Sequence, residues 1–318
     1  CIAVRNVPVP RVLVVGHVTH DRYGEHVMPG GSAYYGALGY KYLGADVHLR
    51  CAVGSDFAHV AELAKLPRSV SRGELTTVFT NLYPTAQPRI QCVEAQAPEV
   101  GPDFVAHDLF EADLIHLAPV LGEVDLVRWK QRARARILAI SVQGYIKQKG
   151  PAIDPQELAT VVDGATAVRG YRVVQKPWCV TVDELRGVDV ACASDEDLLG
   201  QGDLLDRLRE AIPTVALTHG IRGATVFHRG RVIRVGIVPE VVVADVTGAG
   251  DIFAAGFLYG LTTGKTVEAA GRLAAAAASI VIEARAAEAL PRLVEAEERA
   301  QKVRVQSDRD NFPKFPDA

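Results

Sequence analysis

Neither sign of charge dominates this chain: 35 lysines and arginines against 38 aspartates and glutamates leave a net charge of −3 over 318 residues. A sequence so balanced lacks the basic footprint that nucleic acid or an anionic bilayer requires, and neither is expected as a partner. Long hydrophobic runs are missing too. The longest, residues 273–282, is about half of what spans a bilayer and is rich in alanine, which predicts a buried helix instead. Cysteine is sparse and unpatterned. Cys1, Cys51, Cys92, Cys179 and Cys192 show no Cys-x-x-Cys or Cys/His ligand spacing, and an odd number suits reduced thiols better than a disulfide framework. No basic, apolar and cleavage-site succession marks a signal peptide, so a cytoplasmic setting is expected.

What the chain does have is apolar content, 48% hydrophobic residues, enough for the core of one large α/β domain. Residues 11–16 read Arg-Val-Leu-Val-Val-Gly, a short apolar strand of the kind buried on both faces of a parallel sheet. Residues 31–43 carry helical periodicity stopped by Gly44, and a strand at 47–53 completes a β-α-β unit. Strand-like runs recur at 114–117, 137–142, 188–192, 215–218 and 225–227 with helical patterns between several of them, which predicts a doubly wound α/β sheet. Residues 74–95 differ, because β-branched and polar residues alternate around a proline-containing turn. That pattern predicts a half-exposed hairpin. Beyond Gly248 the chain reads as helix nearly to Val303, interrupted near Gly264, and residues 306–318 read as a frayed polar tail.

The richest chemistry lies at residues 241–251, Val-Val-Val-Ala-Asp-Val-Thr-Gly-Ala-Gly-Asp, read as an apolar strand running through a glycine turn into a helix. The backbone N–H groups of Gly248, Ala249 and Gly250 would lack intrahelical acceptors there, and the helix dipole adds positive potential, so the turn suits an anion. Taken by itself, Asp251 in this setting reads more readily as a helix cap than as a catalytic group. Gly30-Gly31-Ser32 opens the first helix with two residues that let a ligand approach the backbone closely. Asp21 follows the first strand, flanked by His17 and His20 read as surface or supporting residues, and its carboxylate can accept two hydroxyl hydrogen bonds. Gly260 to Thr266 mimics a Walker A loop but has three residues between its glycines where four are needed, and it follows a helix; it is read as a turn between helices.

Taken together, these motifs resemble those of the ribokinase (PfkB-type) sugar kinase family over roughly residues 11–285. Asp245 to Asp251 resembles the family's Asp-Thr-x-Gly-Ala-Gly-Asp signature, with Val246 as a departure. Gly30-Gly31 with Val53-Gly54-Ser55-Asp56-Phe57 resembles its N-terminal signature, and Thr218-His219-Gly220-Ile221-Arg222-Gly223 its Thr-x-Gly-x-x-Gly segment. Ser194-Asp195-Glu196-Asp197 stands where the family has Asn-x-x-Glu, with substitutions at both ends; locally, Ser194 reads equally well as a helix N-cap. Residues 140–144 and 193–197 are more similar to the plant-type myo-inositol kinase branch.

The resemblance implies a ribokinase-like sheet with flanking helices and a small β lid. Residues 1–305 would form one domain, the lid coming from about 17–30 and 74–95. It implies an ATP-dependent kinase acting on a hydroxyl of a sugar or polyol, with nucleosides or another small alcohol as the alternative acceptor and a silent ligand-binding homologue as the non-enzymatic one. By it Asp251 is the base, the amides of Gly248, Ala249 and Gly250 form the anion hole, and Asp21, Gly30, Gly31 and Ser32 hold the acceptor. Ser194, Thr218, Gly220 and Gly223 meet the nucleotide. Asp197 would hold Mg2+ through water and Asp245 would serve a monovalent cation, although Ala286-Ala287 stands where ribokinases often have glycine. Two lids can pair in a homodimer.

Overall fold

The computed structural model describes residues 8–82, 84, 90–159 and 168–309. Ten strands form one sheet in the order β16 (Val305–Arg309), β15 (Arg231–Val235), β14 (Ala224–His228), β13 (Thr214–Thr218), β12 (Val190–Ser194), β9 (Ile137–Ser141), β8 (Leu114–Leu117), β1 (Arg11–Val15), β4 (Asp46–Gly54) and β5 (Arg68–Gly73). The seven strands from β13 to β5 run parallel, and β14, β15 and β16 extend the sheet antiparallel. Alternation along β1 explains its wholly apolar composition. Val12 and Val14 enter one core and Leu13 and Val15 the other, as a strand covered on both faces requires.

Among the described residues the α-helices are α1 (Ser32–Leu43), α2 (Val60–Leu63), α3 (Leu126–Arg132), α4 (Pro155–Ala159), α5 (Val182–Leu185), α6 (Asp195–Leu198), α7 (Leu204–Ala211), α8 (Ala249–Thr262), α9 (Val267–Val281) and α10 (Ala296–Arg299). Helices α1, α8 and α9 supply the core on one face, and α3, α5 and α7 that on the other. Helix α9 is the predicted alanine-rich buried segment. Gly264, at φ 81°, turns the chain between α8 and α9, as read for the Walker-like segment. Among the described residues no helix is long and apolar enough to cross a membrane, and the four described cysteines are unpaired.

A second sheet has six strands, in the order β10 (Lys147–Ala152), β11 (Tyr171–Gln175), β7 (Ile90–Ala95), β6 (Thr77–Leu82), β2 (Thr19–Tyr23) and β3 (His26–Gly30). Its inner face packs Phe79, Val93 and Val173 on Val120 and Leu121 of the main body, while Ile90 and Cys92 lie in a separate cluster with Leu158 and Val168. Strands β10 and β11 enlarge this sheet beyond the segments expected to form it.

Two further expectations are corrected. Residues 241–244 join no ladder: Ala244 and Asp245 each donate only to the Ile282 carbonyl, and Val242 and Val243 stand exposed. A run of valines has strand propensity, but no neighbouring edge is offered to it. The tail from residue 306 begins as strand, because β16 pairs with β15 from Arg231↔Arg309 to Val235↔Val305. Of the two readings of His17 and His20, the supporting one holds: both are buried and hydrogen-bonded.

Candidate active site

Two helix N-termini converge beyond the carboxyl ends of the parallel strands, the place where open α/β sheets bind ligands. Helix α8 starts at Gly248, whose φ of 76° and ψ of −2° are left-handed and which lies against the Tyr35 ring, leaving no room for a Cβ. Helix α1 starts at Gly31. Its φ is 97°, and a Cβ there would meet the His17 carbonyl oxygen at 2.6 Å, so only glycine fits. The neighbouring Gly30 carries the Asp21 carboxylate against its backbone; a Cβ would lie 2.3 Å from Asp21 Oδ2. The glycine pair thus shapes the floor on which Asp21 rests, and Thr19 Oγ1 donates to Asp21 Oδ1 at 2.7 Å.

The Ser32 hydroxyl, at the first position of α1, bonds the Asp251 carboxylate in the first turn of α8. Burial pushes the Asp251 pKa up to about 6; Ser32 and the Lys147 ammonium oppose the rise, and the charges of Asp21 and Asp197 add to it. A carboxyl so poised can accept a proton near neutral pH. Tyr35 is pushed upward by burial and then by Asp21, Tyr23, Asp251 and Asp245, which places its ring among these acids.

The anion-binding turn is smaller than the sequence predicts. Ala249 N–H donates to the Val246 carbonyl at 3.2 Å and is not available. Among the described residues, the amides of Gly248 and Gly250 meet no acceptor, and a Cβ built on Gly250 meets nothing within 4 Å. Open space therefore lies over the helix N-terminus.

Ser194 and Thr218 are register partners at the ends of β12 and β13. Ser194 also caps α6: its hydroxyl accepts from Asp197 N–H at 3.1 Å while Asp197 Oδ2 accepts from Ser194 N–H at 2.8 Å, so the capping box and the proximity of Asp197 to Asp251 hold together. Gly220 opens the short turn after β13, and Gly223, at φ 87°, closes it. Asp195 there accepts from Arg222 and meets His219 Nδ1 at 3.3 Å. Asp245 faces the other way: its oxygens accept from the amides of Thr247 at 2.9 Å and Ala286 at 3.1 Å. Burial works against its ionisation, but the Thr247 and Ala286 bonds and Arg285 together bring the pKa below the ordinary aspartate value. Ala286 itself takes φ 47°, a conformation more at ease in glycine. Among the described residues no three metal-ligating side chains cluster. Magnesium commonly needs only one or two carboxylates beside phosphates and water, and Asp197 fits that requirement.

Sequence reasoning missed Lys147, and did not foresee Tyr35 as the wall of the anion turn. The pair of valines in residues 171–175 was the available signal for β11, whereas residues 147–152, Lys-Gln-Lys-Gly-Pro-Ala, carry none for β10.

A family model for the pfkB family of carbohydrate kinases matches residues 127–292, just over half of the chain. The chain belongs to that family. It is 32% identical over 102 residues to a nucleoside kinase of Methanocaldococcus jannaschii, covering 32% of this chain and 34% of that one. It is 38% identical over 77 residues to a ribokinase of Arabidopsis thaliana, covering 24% and 20%. These matches span about a third or less of the relatives' own length. Solved structures confirm the ribokinase-like fold along nearly the whole chain. The Arabidopsis ribokinase complexed with ribose and ATP superposes with a TM-score of 0.68 at 18% identity, covering 92% of this chain and 99% of that one. A pyrophosphate-dependent kinase of the ribokinase family, complexed with a pyrophosphate analogue and myo-inositol, gives 0.65 at 19%, covering 85% and 94%.

Proposed function

We propose that this protein transfers the γ-phosphoryl group of ATP to a hydroxyl of a neutral sugar or polyol, with myo-inositol the first candidate. The observation that carries this reading is the placement of Asp251. A carboxylate with a pKa raised towards neutrality sits in the first turn of α8, beside two unengaged amides and opposite the Asp21 carboxylate. Asp21, on its Gly30-Gly31 floor, would accept hydroxyl hydrogen bonds from the acceptor, and Ser32 would orient Asp251. Asp251 would then take the proton of the attacking hydroxyl, while the Gly248 and Gly250 amides stabilise charge on the transferring group.

The donor phosphates would lie over the ends of β12 and β13, near Ser194, Thr218, Gly220 and Gly223. Asp197 would hold Mg2+ through water, and the ion would supply charge neutralisation on those phosphates. Asp245, with its oxygens taken by two amides, would anchor the segment through Ala286 and leave any monovalent cation to carbonyl groups. Exposed Ile221, Val242, Val243 and Val246 line the segments flanking the anion turn. Such apolar surface suits a nucleotide base better than pyrophosphate alone.

Tyr34 and Tyr35 favour a polyol over a nucleoside. Both are almost wholly buried, at 4% and 3% exposure, so neither offers an open ring for stacking. Arg89, in the 74–95 segment, has a guanidinium able to bind a phosphorylated acceptor, and it lies outside the described residues. The reading is tested by donor consumption with ATP and with pyrophosphate across inositols, pentoses, hexoses, nucleosides and sugar phosphates. Turnover with ATP and a neutral polyol is expected. Preference for a sugar phosphate would contradict the acceptor class, and donor binding without turnover on any acceptor would point to a silent homologue.

A further inference from the structure

Helix α6 and the turn at residues 219–223 meet through one carboxylate. Asp195, the first residue of α6, accepts from the Arg222 guanidinium, and the His219 ring stands against it with Nδ1 at 3.3 Å from Oδ2. With Nδ1–H donating to Asp195, the neutral ring leaves Nε2 to accept from the Thr225 hydroxyl at 2.9 Å, so His219 is fixed at both nitrogens. Asp195 thus reaches partners 24 and 27 residues further along the chain. We propose that Asp195 is a positioning residue for the donor: it pins the turn to α6 and so holds Gly220 and Gly223 where the donor phosphates would meet them.

The helix is the fixed side of this bridge. Ser194 and Asp197 close the capping box at its start, and Gln175 Nε2 of β11 donates to the Glu196 carbonyl at 2.9 Å. The turn is held less firmly. His219 N–H donates to the Gly223 carbonyl at 2.8 Å and Gly223 N–H to that of Gly220 at 3.1 Å, but these bonds only close the turn on itself. Gly220 and Gly223 both take left-handed φ values, 57° and 87°, and glycine backbone has more states open to it than any other. At the tip Ile221 is 87% exposed, and a Cβ built on Gly220 meets nothing within 4 Å. Among the described residues, the bonds that tie this turn to α6 run through Asp195.

The effect of this anchor on the donor is opposite in sign to the effect of its charge. Removing a carboxylate from beside the donor phosphates would, by Coulomb repulsion alone, tighten ATP binding. Removing the anchor of a preorganised turn weakens it. The inference rests on the donor lying over the ends of β12 and β13. Calorimetry with MgATP on the whole chain separates the two effects. In Asp195→Ala we expect the ATP Kd to rise about five- to tenfold, with recovery in Asp195→Glu. The ATP KM should rise alike, while kcat and the KM for myo-inositol stay within about twofold of the parent. Because the Arg222 side chain is 72% exposed, the pair adds little to folding, and the melting temperature should fall by less than about 4 °C. Without any donor, amide hydrogen exchange at His219 and Gly223 should quicken in the variant. If Asp195→Ala does not fold, Asp195→Asn, which keeps the volume and removes the charge, takes its place. An ATP Kd unchanged or tightened in a folded Asp195 variant would overturn the inference, as would unchanged exchange in the turn. Failure of the parent itself to bind ATP would instead defeat the donor reading, and the positioning role with it.

Discussion

Asp251 is held in a site that disfavours its charge, and both the role proposed for it and its cost to the fold follow from that. With a midpoint of about 6, kcat/KM should fall roughly tenfold per pH unit below that value and level off above it. A pH profile flat from 5 to 8 would contradict the assignment. The same displacement acts on stability. The unfolded carboxyl titrates near 3.8, so the folded state holds the proton more tightly, and the penalty grows as pH rises from about 4 to 6 and stays complete above. Asp251→Asn should therefore stabilise the protein by about 1–2 kcal/mol at pH 8, discounted for the residue's partial exposure, and by nothing near pH 3.5. Thermal melts at the two pH values check this. Gly30 is the other sensitive position. A methyl group there displaces the Asp21 carboxylate, and Gly30→Ala should raise the acceptor KM roughly ten- to hundredfold with little effect on the ATP KM.

At the scale of elements, the two sheets are joined by a buried polar knot. Glu123 is 3% exposed and accepts from the amides of His17, Val120 and Leu121. His17 Nε2–H donates to the Pro98 carbonyl at 2.8 Å, and Thr77 Oγ1, which accepts from Ala97 N–H, gives its proton to His17 Nδ1. Glu123→Ala would leave three buried amides without an acceptor and should cost about 3 kcal/mol in denaturant unfolding; a loss under 0.5 kcal/mol would show that the knot is dispensable. Neither Glu123 nor this role can be read from sequence, because its partners lie as far as 106 residues away. The parallel core strands were legible, since burial on both faces leaves an unbroken apolar run, and so were the glycine-led helix starts. Strands β10 and β11 were not: Lys147–Ala152 is mostly exposed and contains Gly150 and Pro151, with no apolar alternation to mark it. The valines at 241–243 misled for the opposite reason, carrying strand propensity where no partner strand stands. Gly248 and Gly250 could be foreseen as an anion turn, whereas the bond from Ala249 N–H to Val246 depends on a local dihedral that the residue types do not fix.

For the whole molecule, the six-stranded sheet is the part whose role reaches beyond the fold. It carries Asp21 and, among the described residues, ends on β3 and β10. We propose that it acts as the lid over the acceptor, and that two lids pair edge to edge in a homodimer. Light scattering should give about twice the chain mass at micromolar concentration, and a monomer at every usable concentration would contradict the pairing. The proposed function as a whole turns on one carboxylate. The most direct measurement is single-turnover phosphoryl transfer by Asp251→Asn, beside ATP binding by the same variant. Loss of roughly 10²–10⁴-fold in rate with ATP affinity within twofold of the parent is the predicted result, and transfer within a factor of two of the parent would contradict the account.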